Sequence, residues 1–359
     1  MRAAVCREFG QPLTIEEVSL APPDNGQVEV KIEACAICHS DIHFMKGAWG
    51  GPTPAIFGHE AVGRIVRTGR NVSGWSKGDR VLVTLLKSCG SCLNCSHGQP
   101  AQCENGREEL PSPFSLSETL PVSQGLWTGA FAERTVIDQS QIAHIPDSIS
   151  NEAACLLSCG VITGVGAVVN TARVYPGSAV AVVGAGGVGL NAIQGARISG
   201  ASVIVAVDIS ARKLEDAREF GATHGILADS EKPHRQIRQV TNGRGVDFAL
   251  VTVGSVTALE MATRFLCHGG KLIIVGMPSA DEILRLKPMG MAYFSQSVIG
   301  SYMGDAVLRR DIPWLLSLYD QGRLKLDQLV TGRYKLDEIN AAVQNTIEGK
   351  ARRNVIVFD

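Results

Sequence analysis

Cys89, Cys92, Cys95 and Cys103 follow the spacing Cys-x2-Cys-x2-Cys-x7-Cys within fifteen residues, with Gly90 and Gly98 available for turns between them. Thiolates this close together can surround one tetrahedral Zn2+ and leave no coordination position open, so the cluster predicts a closed, structural site. A disulfide pair is the competing reading, and it needs an oxidising compartment. A second, dispersed set has different consequences. Cys38-His39-Ser40-Asp41-Ile42-His43, Gly58-His59-Glu60 and Cys159 offer soft and borderline ligands. Two cysteines and one histidine leave the fourth zinc position for water or an alcohol oxygen, which is the open geometry that catalysis requires. Taken singly, each has an ordinary explanation: Cys159 heads an apolar run and suits a core, and His43 suits a surface.

A third motif points to a nucleotide. Gly184-Ala185-Gly186-Gly187-Val188-Gly189 satisfies G-x-G-x-x-G between the strand-like SAVAVV and a helical run. Its glycines permit a tight turn and close approach of backbone to a pyrophosphate at a helix N-terminus. Asp208 ends the next strand, nineteen residues after Gly189, where its carboxylate can accept from the adenosine ribose hydroxyls and repel a 2′-phosphate. NAD is therefore expected over NADP, although Arg212 and Lys213 nearby keep a case for NADP by charge pairing. A glycine turn with a strand-end Asp as helix cap is the purely structural alternative.

These residues need two kinds of scaffold. The first 150 residues read as short strands, QVEVKIEACAI, AVGRIVRTG, DRVLVTLL and AFAERTVI, separated by Gly, Pro, Asp and Asn, so a mostly β and barrel-like domain is predicted. From about residue 178, strands such as SVIVAVD, VDFALV and GGKLIIVG alternate with helical runs such as ARKLEDAREFG, which predicts a doubly wound parallel α/β sheet. A helical pattern runs from about Asp305 to Gln321, and the last forty residues look like a return to the first domain. The hydrophobic content of 45% and the 39 glycines fit an α/β enzyme of two domains. A formal net charge of -1 without runs of like charge gives no reason to expect nucleic acid or an anionic membrane as partner. No stretch approaches the roughly 20 apolar residues of a membrane span. Together with the lack of a signal-like start, this predicts a soluble, cytoplasmic protein. Cys6, Cys35, Cys155 and Cys267 are most simply core residues.

In order and spacing, these motifs resemble the zinc-dependent alcohol dehydrogenases of the medium-chain dehydrogenase/reductase superfamily along nearly the whole chain. Cys38-x-Ser40-Asp41 with His43, Gly58-His59-Glu60, the four-cysteine lobe, Cys159-Gly160, the glycine motif with Asp208, and Gly349-Lys350 with Arg353 carry the resemblance. It implies a GroES-like, mostly β catalytic domain over residues 1–159 with a zinc lobe at 89–103, a Rossmann domain over 160–300, and a return to the catalytic domain over 301–359. It further implies two Zn2+ per chain. Cys38, His59 and Cys159 would bind the catalytic ion with Glu60 beside it, and Cys89, Cys92, Cys95 and Cys103 the structural one. Asp41 would orient the His59 imidazole. His39 and Arg353 would meet the pyrophosphate, and Lys213 the adenosine ribose.

A zinc ion in that site would lower the pKa of an alcohol and favour hydride departure to nicotinamide. Ser40 would pass the proton through the cofactor ribose to His43, whose ordinary pKa near ~6.5 suits a relay. The resemblance places Trp49, Leu85, Phe131 and Met277 around an apolar pocket, which favours primary aliphatic or aromatic alcohols over polyols. Two other readings remain. The segments SCGVITGVGAVVNTA and SYMGDAVLRRDIPWLLSLYDQGRLKLDQLV are similar to the class III branch of thiol-dependent formaldehyde dehydrogenases. A hydroxymethyl-thiol adduct would need basic residues, for which Arg107, Arg309 and Arg310 are candidates. A non-catalytic zinc- and NAD-binding protein is the other, opposed by the intact ligand and relay set. Relatives pair the last strand of the nucleotide sheet across a two-fold axis, so SVIGSY suggests a homodimer or homotetramer.

Overall fold

The computed structural model describes residues 1–106, 111–117 and 120–359. They form two compact units. The first comprises Met1–Cys159, Val307–Tyr319 and Leu326–Asp359, and the second Gly160–Ala306 with Asp320–Lys325.

In the first unit the barrel-like expectation takes the form of two β-sheets. The central strand Gln27–Ala36 is rich in β-branched and small apolar residues and is buried along most of its length, as a strand covered on both faces must be. It pairs antiparallel with Glu60–Thr68, Arg134–Asp138 and Arg353–Val357. Its register has a direct consequence for the site. Ala36 stands opposite Glu60 on one side and Val355 on the other, so the segments carrying Cys38, His59–Glu60 and Arg353 meet at one strand end. Large side chains fully enclosed in one core cluster, among them Ile32, Ile56 and Phe131, pack against that sheet.

In the second unit six parallel strands lie in the order His224–Leu227, Val203–Asp208, Ala179–Val183, Val246–Val251, Leu266–Ile274, Ser297–Gly300. Counted along the chain this is 3-2-1-4-5-6, the doubly wound arrangement that the alternating strand and helix pattern predicts. Ala179–Val183 is buried at every position, which explains why it reads as a continuous apolar run and not as an alternation.

The helix expected from about Asp305 to Gln321 spans Leu308–Asp320. The apolar run after Cys159 is helical over Gly160–Gly166 and continues in π-helical form through Ala172. Among the described residues no single helix is long and apolar enough to cross a membrane.

Candidate active site

The strand Gln27–Ala36 runs into a seven-residue helix, His39–Met45, that sequence periodicity left unresolved because it is barely two turns long. Cys38 occupies its N-cap position in extended conformation, and Asp41 at the third helical position reaches back to accept from the Cys38 backbone N–H at 3.1 Å. Asp41 is fully buried. Its other oxygen accepts from Gly58 N–H at 2.9 Å and lies 2.9 Å from His59 Nδ1. A carboxylate only accepts, so Nδ1 carries the hydrogen and the second ring nitrogen faces away from Asp41.

That second nitrogen, His59 Nε2, is buried without a hydrogen-bond partner. An orphaned buried polar atom costs about 1–3 kcal/mol, so such an atom calls for a ligand. One ligand atom each from Cys38, His59, Glu60 and Cys159 lies within 4.8 Å of the others, and all four residues are buried. Two sulfurs, an imidazole nitrogen and a carboxylate form a donor set suited to zinc, with the imidazole held by a carboxylate in the way metal-ligating histidines usually are. The residues fit the ion.

The electrostatics agree. Burial works against a charged imidazole, yet Asp41 and Cys38 hold the His59 pKa well above its ordinary value, so a positive charge is wanted at that point. A hydrogen bond from Cys159 and the His59 charge keep the Cys38 thiol well below the usual range against the effect of burial. The same bond, with burial, pushes Cys159 up. Burial raises Glu60 to about 7 although Arg353 opposes it. Glu60 Oε2 accepts from Arg353 Nη2, and its Oε1 has no partner. The resemblance assigns Arg353 to the pyrophosphate. In the structure its side chain is 8% exposed and its guanidinium pairs with Glu60.

Position is secured by residues that no motif announces. Gly58 has φ +92°, and a Cβ there would stand 2.6 Å from the Phe131 backbone nitrogen, so only glycine admits the turn before His59. Thr128 Oγ1 donates to the Gly58 carbonyl at 2.7 Å. Thr84 Oγ1 donates to Ser158 O at 2.6 Å, and Ser158 Oγ to Ala61 O at 3.0 Å, fixing the segment that presents Cys159. These are ordinary hydroxyls in strands and turns, and sequence carries no signal for them.

Ser40 and His43 are half-buried on the short helix, while His39 is exposed. The His43 ring stacks on Trp49 at 4.9 Å with an interplanar angle of 22°. Burial lowers the His43 pKa below its ordinary value of 6.5, so the ring is neutral at neutral pH and able to accept a proton. If His43 receives the alcohol proton, kcat falls only on the acid side as the ring becomes protonated. His43→Gln is then expected to lower kcat at neutral pH and to remove that acid limb, read as NADH formation between about pH 5 and 9. An unchanged pH profile would take His43 out of the relay.

Of the four expected pocket residues, Trp49 is half-buried and Leu85 is buried. Phe131 is fully enclosed against Gly58, so it backs the metal loop and offers no surface of its own. Met277 belongs to the second unit and is 48% exposed. Of the basic candidates for a thiol adduct, Arg107 lies outside the described residues, Arg310 pairs with Asp311 at 2.6 Å, and Arg309 is exposed.

The four-cysteine segment forms a second group, with its sulfurs within 4.8 Å of one another. None of the ten cysteines is in a disulfide. Cys89 Sγ accepts from Cys92 N–H at 3.3 Å, and Cys103 Sγ accepts from Cys89 N–H at 3.2 Å. Backbone N–H groups of Ser91 and Cys92 lower Cys89 to about 6. The helix Leu93–Ser96 has no buried residue, and Leu93 is 63% exposed, so the lobe has little apolar interior of its own.

In the second unit, Gly184 takes φ +93°, and a Cβ on Gly189 would lie 1.7 Å from the Gly184 carbonyl oxygen. Gly186 caps the helix Gly187–Ile198 and has nothing within 4 Å of where its Cβ would be, so open space faces the helix N-terminus. The loop is held by Asp208, which is 7% exposed. Its Oδ2 accepts from Ala185 N–H at 2.7 Å and its Oδ1 from Ser210 N–H at 3.0 Å. Asp208 is therefore both a brace for the glycine turn and an acceptor at the strand end. Lys213 is half-buried and Arg212 exposed on the following helix. A nucleotide with a diphosphate fits the cradle that Gly186 leaves open.

Comparison with known proteins identifies the family. Residues 24–147 match the alcohol dehydrogenase GroES-like domain and residues 187–321 the zinc-binding dehydrogenase domain. Alcohol dehydrogenase 1 of Pisum sativum is 36% identical, the match covering 100% of this chain and 97% of the other. Putative alcohol dehydrogenase D of Mycobacterium tuberculosis is 35% identical, with 99% of each chain covered. The crystal structure of benzyl alcohol dehydrogenase from Acinetobacter calcoaceticus superimposes with a TM-score of 0.93 at 30% identity, covering 100% of this chain and 99% of that one. The chain belongs to the zinc-dependent alcohol dehydrogenases of the medium-chain dehydrogenase/reductase superfamily. It is an NAD-dependent zinc enzyme that exchanges hydride between the nicotinamide and an alcohol/aldehyde pair.

Proposed function

We propose that the reaction takes place at the Cys38, His59 and Cys159 centre and that its substrates are primary aromatic or aliphatic alcohols. The observation that carries this is the buried, unpartnered His59 Nε2 directed toward two cysteine sulfurs, with its Nδ1 fixed by Asp41. When bound there, zinc supplies Lewis acidity that makes an alcohol acidic enough to release hydride near neutral pH. The rest falls to the chain. Asp41 fixes the imidazole tautomer, and Glu60 stays paired with Arg353 beside the site. Ser40 takes the alcohol proton at its hydroxyl, and His43 receives it at the half-buried ring.

The glycine turn Gly184–Gly189 seats the pyrophosphate, Lys213 meets the adenosine ribose, and Asp208 selects NAD over NADP. The lobe of Cys89, Cys92, Cys95 and Cys103 holds a structural zinc. The catalytic part comprises Met1–Cys159, Val307–Tyr319 and Leu326–Asp359, so the return expected from residue 301 begins at Val307 and leaves Asp320–Lys325 with the nucleotide part. The edge strand Ser297–Gly300, followed along the chain by no further strand of its sheet, suits pairing in a homodimer or homotetramer working in the cytoplasm.

An aromatic preference is supported by the Trp49 ring, which stacks on His43 and meets Phe44 edge-on at 5.2 Å. The similar enzyme from Acinetobacter calcoaceticus is named for benzyl alcohol. A panel of primary, secondary, aromatic and polyol alcohols with NAD and with NADP tests both choices. The expected result is fastest reduction of NAD by primary alcohols. Trp49→Ala should shift the ratio of kcat/KM between benzyl alcohol and ethanol by about tenfold, the scale of losing one aromatic contact. An unchanged ratio would remove Trp49 from the pocket.

A further inference from the structure

A cavity of about 550 Å3 in the catalytic domain is lined by none of Cys38, Ser40, His43, Trp49, His59, Leu85, Phe131 or Cys159. Its volume is that of a small-molecule site. Phe44, Phe57, Leu126, Trp127 and Val136 supply an apolar wall with three aromatic rings. The polar groups on the wall are mostly committed to the protein. Gln124 Nε2 donates to Thr128 O and Val136 O, Gln141 Nε2 to Thr84 O and Trp127 O, and Ser112 Oγ to Val122 O. The acid Asp138 is turned to its own turn, accepting from Ser140 N–H at 2.8 Å. Lys87 is different. It is half-buried on this wall, and its ammonium has no hydrogen-bond or ion-pair partner among the described residues.

The wall is also held under backbone strain. Leu126 and Trp127 stand consecutively at φ +53° and +55°, a conformation uncommon for large side chains and concentrated at sites that clamp ligands. It persists because Thr128, the next residue, is tied to Gly58, and Gln141 grips the Trp127 carbonyl at 3.0 Å.

We propose that this cavity is a binding site for an aromatic carboxylate, separate from the alcohol site, with the ring against Phe44, Phe57 and Trp127 and the carboxylate on Lys87. Aromatic faces favour a planar ring, and one ammonium without a partner among the described residues favours a single negative charge. The inference does not depend on which alcohol the enzyme oxidises.

Isothermal titration calorimetry of the zinc- and NAD-loaded enzyme with 2-naphthoate tests it, using Lys87→Met and the uncharged 2-naphthamide as controls. Lys87 is not among the residues assigned to the catalytic or cofactor sites, so the variant is expected to keep wild-type kcat/KM. The expected result is saturable binding that persists with saturating alcohol and is weakened at least roughly tenfold both by Lys87→Met and by the amide, as for loss of a charge-assisted contact. Displacement by alcohol would place the acid in the active site and overturn the proposal. Equal affinity in Lys87→Met, or no binding, would overturn it as well.

Discussion

Cys38→Ser is expected to lower kcat/KM for primary alcohols by at least about 10^3-fold, since loss of a metal that supplies several kcal/mol of transition-state stabilisation has that scale. The fold should survive. The backbone N–H of residue 38 still donates to Asp41, and Asp41 still holds Gly58 and His59, so the substitution removes a sulfur and leaves the scaffold that positions it. Circular dichroism should be unchanged, and metal analysis should find one zinc per chain where the wild type has two. A variant that retained turnover would show that the reacting metal does not need this ligand.

Cys95→Ser should behave in the opposite way. The helix Leu93–Ser96 buries nothing, so the lobe depends on its four sulfurs where other segments depend on apolar packing. For such segments metal binding energy is folding energy. Loss of the ion is expected to remove several kcal/mol, and Tm by about 10 °C or more for a domain of this size. Zinc content should again fall to one per chain, but molecules that remain folded should keep their Cys38, His59 and Cys159 centre and oxidise alcohol. Unaltered Tm and zinc content on Cys95→Ser would refute a structural zinc in the lobe.

The two centres differ in how far the sequence disclosed them. The four cysteines are legible because their ligands are local: Cys89 to Cys103 need only two short turns to converge. The glycine turn is legible for the same reason, a strand, a loop and a helix in immediate succession. The Cys38, His59 and Cys159 centre is assembled from three distant segments by the register of Gln27–Ala36 with Glu60–Thr68 and Arg353–Val357. No periodicity in the chain encodes that register, so in the sequence these residues are joined only by their ligand chemistry and by resemblance to a family. Asp41 shows the same limit from the other side. Its helix is too short for a periodic signal, yet its carboxylate binds Cys38, Gly58 and His59 together.

Other residues were beyond reach altogether. Thr84, Thr128 and Ser158 fix the ligand-bearing loops through single hydroxyls, which sequence cannot distinguish from those of any strand or turn. Arg353 is a neighbour of Glu60 only because its strand lies against Ala36. Phe131, expected to line the alcohol pocket, is enclosed behind Gly58, since a large aromatic near a glycine turn can fill its back as readily as its front.

The most direct test of the two-centre account counts zinc by native mass spectrometry and records NADH formation from a primary alcohol on the same preparations of wild type, Cys38→Ser and Cys95→Ser. Two zinc ions are predicted in the wild type and one in each variant, with turnover lost only in Cys38→Ser. Full turnover in a Cys38→Ser chain holding one zinc, or loss of turnover in folded Cys95→Ser chains whose remaining zinc is in place, would contradict the assignment of chemistry to the dispersed site.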